Sequence, residues 1–211
     1  MRPRLELGME SLPLDAVEAE LVVAGFFVED RPLRGGAGRV DWRLCGLISE
    51  MLAGGRLDAD RGSALLIASS GAFRAPRILL LGLGARAEFG VAMAQDLMRE
   101  AMERCIALGV RRVGIAPLGI AADDFARHAV AVAGGVAEAI RGAGESGELQ
   151  GDYEICLSVP ESGIEVASEA LDRAVSALEG QEFVTRPVSR RRHSPSPRRE
   201  EGHGGFAQPR P

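Results

Sequence analysis

The stretch Glu20-Leu21-Val22-Val23-Ala24-Gly25-Phe26-Phe27-Val28 decides the reading of this chain. After one acid it is continuously apolar and rich in β-branched and aromatic residues. A strand with one wet face would alternate with polar residues, whereas an unbroken run of this length fits a strand covered on both faces. Such strands belong to parallel sheets with helices above and below. Two further runs, Ala64-Leu-Leu-Ile-Ala68 and Arg77-Ile-Leu-Leu-Leu81, read as buried strands of the same kind. Leu5–Gly8, Arg112–Ala116 and Tyr153–Val159 complete a set of six.

Between the strands the apolar period changes from two to about 3.6. Asp41 can cap a helix that places Leu44, Leu47, Ile48, Met51 and Leu52 on one stripe and stops at Gly54-Gly55. Glu88–Leu108 is a long helix closed by Gly109. Asp123-Asp124 open a third helix, two acids placed favourably at its positive end, and Ile164–Leu178 is the fourth. Six strands alternating with four amphipathic helices predict an α/β fold, a three-layer α/β/α sandwich around a mixed, mostly parallel six-stranded sheet.

The net charge of −5 is unevenly distributed. From Gln181 onward seven arginines face three glutamates, a net +4 that leaves −9 for residues 1–180. The sequence therefore divides into a domain over 1–180 and an Arg/Pro/Ser-rich tail over 181–211, expected to be disordered and to bind nucleic acid only weakly and in a salt-sensitive way. The chain has no lysine and no asparagine, so chemistry that needs either side chain is excluded. No run approaches the roughly 18 apolar residues of a membrane span, and no signal-like segment opens the chain, which suggests a cytoplasmic protein. Cys45, Cys105 and Cys156 are widely spaced and read as buried small hydrophobes, with no disulfide or zinc spacing among them.

Two glycine-rich segments are the candidate ligand sites. Gly82-Leu-Gly-Ala-Arg-Ala87 follows a strand and precedes a helix, as a dinucleotide-binding turn does, although the next strand lacks the acid that would hold a ribose. Leu33-Arg-Gly-Gly-Ala-Gly-Arg-Val40 reads as a loop whose N–H groups at Gly35, Gly36 and Gly38 could form a nest for an anion, with Arg34 and Arg39 supplying charge. If a site exists, it is expected where this loop meets Gly82 and Gly84. Gly36→Val is expected to block it without disturbing the fold. His128 reads as a partly buried packing residue, and no catalytic or metal-binding motif appears.

The order of elements resembles the macro-domain fold. The sequence resembles more closely the N-terminal domain of the leucyl (cytosol) aminopeptidase family, over roughly Leu5 to Leu178. The resemblance is carried by Glu20–Val28 ending in Glu29-Asp30, by Asp41-Trp-Arg-Leu-Cys-Gly-Leu-Ile-Ser49, and by Ala75-Pro-Arg-Ile-Leu-Leu-Leu-Gly-Leu-Gly84. It implies no catalytic residue here, because that family's two-metal site lies in a separate C-terminal domain and uses lysines. Macro domains bind ADP-ribose through an aspartate, an asparagine and a glycine-rich loop, of which only Gly35–Gly38 has a counterpart.

The expected function is that of a non-catalytic domain without cofactor or metal, acting through association with itself or with a catalytic aminopeptidase. The alternatives are a macro-like module for an anionic nucleotide such as ADP-ribose, or a metalloaminopeptidase by homology alone.

Overall fold

A computed structural model describes residues 4–119, 124–149, 151–177 and 183–185. The six expected strands are present as β1 (Leu5–Glu10), β2 (Leu21–Phe26), β3 (Ala64–Ala68), β4 (Arg77–Gly82), β5 (Arg112–Ile115) and β6 (Tyr153–Ser158), and a seventh, β7 (Phe183–Thr185), joins them. Their order is β3-β4-β2-β5-β6-β1-β7. Every neighbouring pair is parallel except β3–β4. The deciding stretch is thus central, between β4 and β5.

Alternation along β2 feeds two cores. Leu21 and Val23 face one side, with Leu79 and Leu81 of β4, and pack beneath α3 (Val91–Ala107), α4 (Phe125–Ser146) and α5 (Ile164–Ala177). Val22, Ala24 and Phe26 face the other, with Ile78 and Leu80, beneath α1 (Gly35–Arg43) and α2 (Leu47–Ala53). Each of these buried leucines and phenylalanines contributes about 1.5–3 kcal/mol of transfer free energy. The long helices α3 and α4 cross closely because Gly135 presents no side chain: a Cβ there would overlap the backbone of Gln95 and Arg99. Asp124 caps α4, accepting from Arg127 N–H at 3.4 Å, as expected of an acid at a helix start, while Asp123 lies outside the described residues.

Four local expectations need correction. The single helix from Asp41 is two helices, broken where Cys45 and Gly46 take φ of 56° and 85°. Asp41 lies inside α1 and caps α2 instead, accepting from Ser49 N–H at 2.9 Å and Ser49 Oγ–H at 2.6 Å. β3 is an antiparallel edge strand, not a buried one, and Leu66 on it is exposed. β7 lies in the segment expected to have no regular structure, and it pairs with Leu5–Leu7 of β1; the rest of the tail is outside the described residues. Of the cysteines only Cys105 is buried, which raises its thiol pKa to about 12; Cys156 is half-buried and Cys45 exposed. Among the described residues no helix is long and apolar enough to cross a membrane.

Candidate functional site

Parallel strands that end together leave a crevice at their carboxyl ends. Here β1, β2, β5 and β6 all run the same way, and past their ends lies a cleft of about 720 Å³. Its floor is formed by Gly25, Phe27 and Ala116, and the segments after β1 and β6 supply Leu12, Pro13 and Pro160. On one side stands the amino end of α1 with Arg34, Gly35 and Gly36, and on another Asp30 and Arg86. The walls are therefore mostly apolar, with a few charged groups converging on them, as in small-molecule sites generally.

The three cleft arginines differ in their surroundings. Arg39 is bound to Asp15 through two hydrogen bonds, of 2.7 and 3.1 Å, so its charge is largely answered within the protein. Arg86 donates to Asp30 at 2.6 Å. Arg34 is exposed at the start of α1, and its guanidinium makes no hydrogen bond or ion pair among the described residues. The first turn of α1 also brings to that end of the cleft backbone N–H groups with no partner among the described residues, and the positive end of the helix dipole.

The predicted site residues are brought together only in part. Arg34, Gly35, Gly36 and Arg39 line the cleft, whereas Gly38, Gly82 and Gly84 do not. The segment Gly35–Gly38 is not a loop but the opening of α1. Gly36 is small because the helix sits directly on the sheet, where a Cβ would overlap the Ala116 methyl and lie 3.1 Å from that of Ala24. Gly36→Val would therefore disturb packing, contrary to the expectation that it spares the fold. At Gly82 a Cβ would run into Ser63 and the backbone of Ala59 and Asp60, which places this glycine against the turn before β3. Gly84 has φ of 75° beside Arg61. The turn after β4 reaches the cleft only through Arg86.

Arg86, Asp30, Phe27 and Phe125 were not among the predicted residues. The one available signal was Glu29-Asp30 directly after an apolar strand, acids that would need basic partners. Asp30 is buried and accepts from Phe27 N–H at 3.0 Å as well as from Arg86, and Glu29 accepts from the Arg86 backbone N–H at 3.1 Å with each oxygen.

His128 lies elsewhere, on α4, and is fully buried with neither ring nitrogen hydrogen-bonded. Burial alone lowers its pKa to about 4, which keeps the ring neutral. No three His, Cys, Asp or Glu side chains come together for a metal ion among the described residues.

The sequence profile of the cytosol aminopeptidase family, N-terminal domain, matches residues 22–140, more than half of the chain. The chain belongs to the cytosol aminopeptidase family. The matched region of this aminopeptidase-family domain runs from β2 into α4 and includes α1, Asp30 and Arg86. Its fold is shared with a tomato leucine aminopeptidase variant at a TM-score of 0.58 and 17% identity, over 83% of this chain but 36% of that one. Two macrodomains share it as well. One is a variant from Oceanobacillus iheyensis (TM-score 0.58, 10% identity, 80% of this chain and 92% of that one). The other, from Trypanosoma brucei, was solved in complex with ADP (TM-score 0.57, 14% identity, 81% and 69%). No curated protein sequence matches the chain.

Proposed function

We propose that this aminopeptidase-family domain is a non-catalytic, cytoplasmic binding module whose cleft takes a small anionic molecule of nucleotide type, such as ADP-ribose. The observation that carries the reading is the cleft itself: about 720 Å³ at the ends of four parallel strands, apolar in most of its lining, with Arg34 at one side unpaired among the described residues. A phosphate there would meet the α1 N–H groups and the Arg34 guanidinium while the remainder of the ligand covered apolar wall. The Trypanosoma brucei macrodomain in complex with ADP supports it by sharing the fold. Calorimetric titration with ADP-ribose, NAD and inorganic phosphate is the test. Binding of the nucleotides is expected, and absence of heat from all three at millimolar concentration sinks the reading. No release of p-nitroaniline from leucine-p-nitroanilide is expected with manganese or zinc; turnover that disappears on a core substitution would overturn the non-catalytic part.

A second reading, association with a catalytic aminopeptidase chain or with a second copy, is favoured by the open edge of β3. Among the described residues that strand pairs only with β4 and exposes Leu66, and an edge of this kind invites pairing. A dimer or mixed complex in sedimentation that is lost on Leu66→Lys would support it, and a monomer in the presence of an aminopeptidase would count against it.

A further inference from the structure

Arg86 is held at both its main chain and its side chain. Its backbone N–H donates to Glu29, and its guanidinium donates to Asp30 at 2.6 Å and lies over the Phe27 ring, 4.1 Å from the centroid. Phe27 is itself fixed. Phe89 meets it edge-on at 5.0 Å, and Gly119 lies so close to the ring that a Cβ there would overlap it. The Arg86 side chain nevertheless remains 51% exposed, while that of Asp30 is 7% exposed. One face of the guanidinium and one N–H are therefore occupied. Among the described residues no second ring covers the guanidinium and its other N–H groups have no partner, and the half-exposed side chain lines the cleft.

We propose that Arg86 determines the specificity of the cleft by reading a planar ring with hydrogen-bond acceptors, while Arg34 meets the anionic group of the same ligand. This rests on the anionic-ligand reading and deepens it. The two cations suit different chemistry. Asp30 already answers the charge of Arg86, so a bare anion gains little there. A flat guanidinium held against one aromatic ring can still stack a second ring on its free face and donate to acceptors at that ring's edge. A lysine ammonium has neither the plane nor the fork. Arg34 has the reverse character: its charge has no partner among the described residues, and no ring holds its plane.

Titration of the full chain with ADP and with inorganic pyrophosphate separates these roles. Arg86→Met and Arg86→Lys should each weaken ADP by about tenfold, the scale of one stacked, desolvated guanidinium contact, and leave pyrophosphate nearly unaffected. Arg34→Met should weaken both probes. Because Arg86→Met strands the buried Asp30 carboxylate, the double variant Asp30→Asn/Arg86→Met is compared with it, and the two should bind ADP alike. The inference fails, with the ligand reading intact, if lysine restores ADP affinity, if Arg86→Met weakens both probes equally, or if the double variant regains wild-type affinity. If the wild type binds neither probe, both readings fall together.

Discussion

The two faces of the sheet are closed differently. On one, α3, α4 and α5 are long and pack closely enough that Gly135 is required at their crossing, and the buried cluster beneath them runs from β4 to β1. On the other, α1 and α2 are short, separated by a turn through Cys45 and Gly46, and their cluster is centred on β2 and β4. The helix α1 begins at the strand ends and so contributes its amino end to the cleft. The first face is the larger source of cohesion, and the second presents the amino end of α1 to the cleft. A difference in helix length and placement has separated the larger core from the cleft within one domain.

The largest expected effect lies on the sealed face. His128 titrates near pH 4 in the folded chain and near its ordinary 6.5 when unfolded. Between those values the unfolded chain binds a proton that the folded chain does not. Stability from this group is therefore present above about pH 6.5 and is lost as pH falls toward 4, amounting to about 3 kcal/mol. Urea unfolding from pH 7 to pH 4 should show the wild type losing that much more than His128→Leu. Parallel curves would mean that the ring is not the buried, unpaired group described.

On the cleft face, Gly36→Val should destabilise by about 2–3 kcal/mol, since the new side chain must displace Ala116 or lift α1 from the sheet. A wild-type thermal midpoint would show that α1 sits more loosely than its contacts imply. Asp41→Ala removes the cap of α2 and should cost about 1 kcal/mol, readable as a lowered urea midpoint, with Asp41→Asn retaining most of the stability. The smallest effect belongs to Arg34→Met, within about 0.5 kcal/mol, because the side chain is exposed and unpartnered among the described residues. If that variant alters stability markedly, Arg34 belongs to the scaffold and not to the site.

The legible parts of the sequence were those in which local composition and global position agree. Leu21–Phe26 and Ile78–Leu81 are apolar throughout because they lie in the middle of a covered sheet. Ala64–Ala68 carries the same composition at an edge, and strand order is not written in a five-residue run. The break at Cys45 was hidden because Val40, Leu44, Ile48 and Leu52 keep a four-residue spacing across it, although Leu47, expected on the same stripe, is exposed. Within the site, Arg34, Gly35, Gly36 and Arg39 were readable as a glycine-rich segment flanked by charge. Gly82 and Gly84 had the same appearance, but what faces them, the turn at Ala59–Ser63, comes from a different part of the chain. Arg86 was unreadable for the same reason, since Asp30, which fixes its side chain, is 56 residues away.

One residue of α1 gives the domain a built-in optical probe. Trp42 is the sole tryptophan of the chain; it is 67% exposed, with the Arg39 and Arg43 guanidiniums 5.2 and 5.9 Å from its ring. Both arginines also reach Asp15, and Arg39 lines the cleft. A solute that drew Arg39 toward the cleft would move a cation away from the indole and change the field on its ring. The emission of the unlabelled protein, excited at the red edge where Tyr153 does not absorb, would then shift as the cleft fills and report on this one ring.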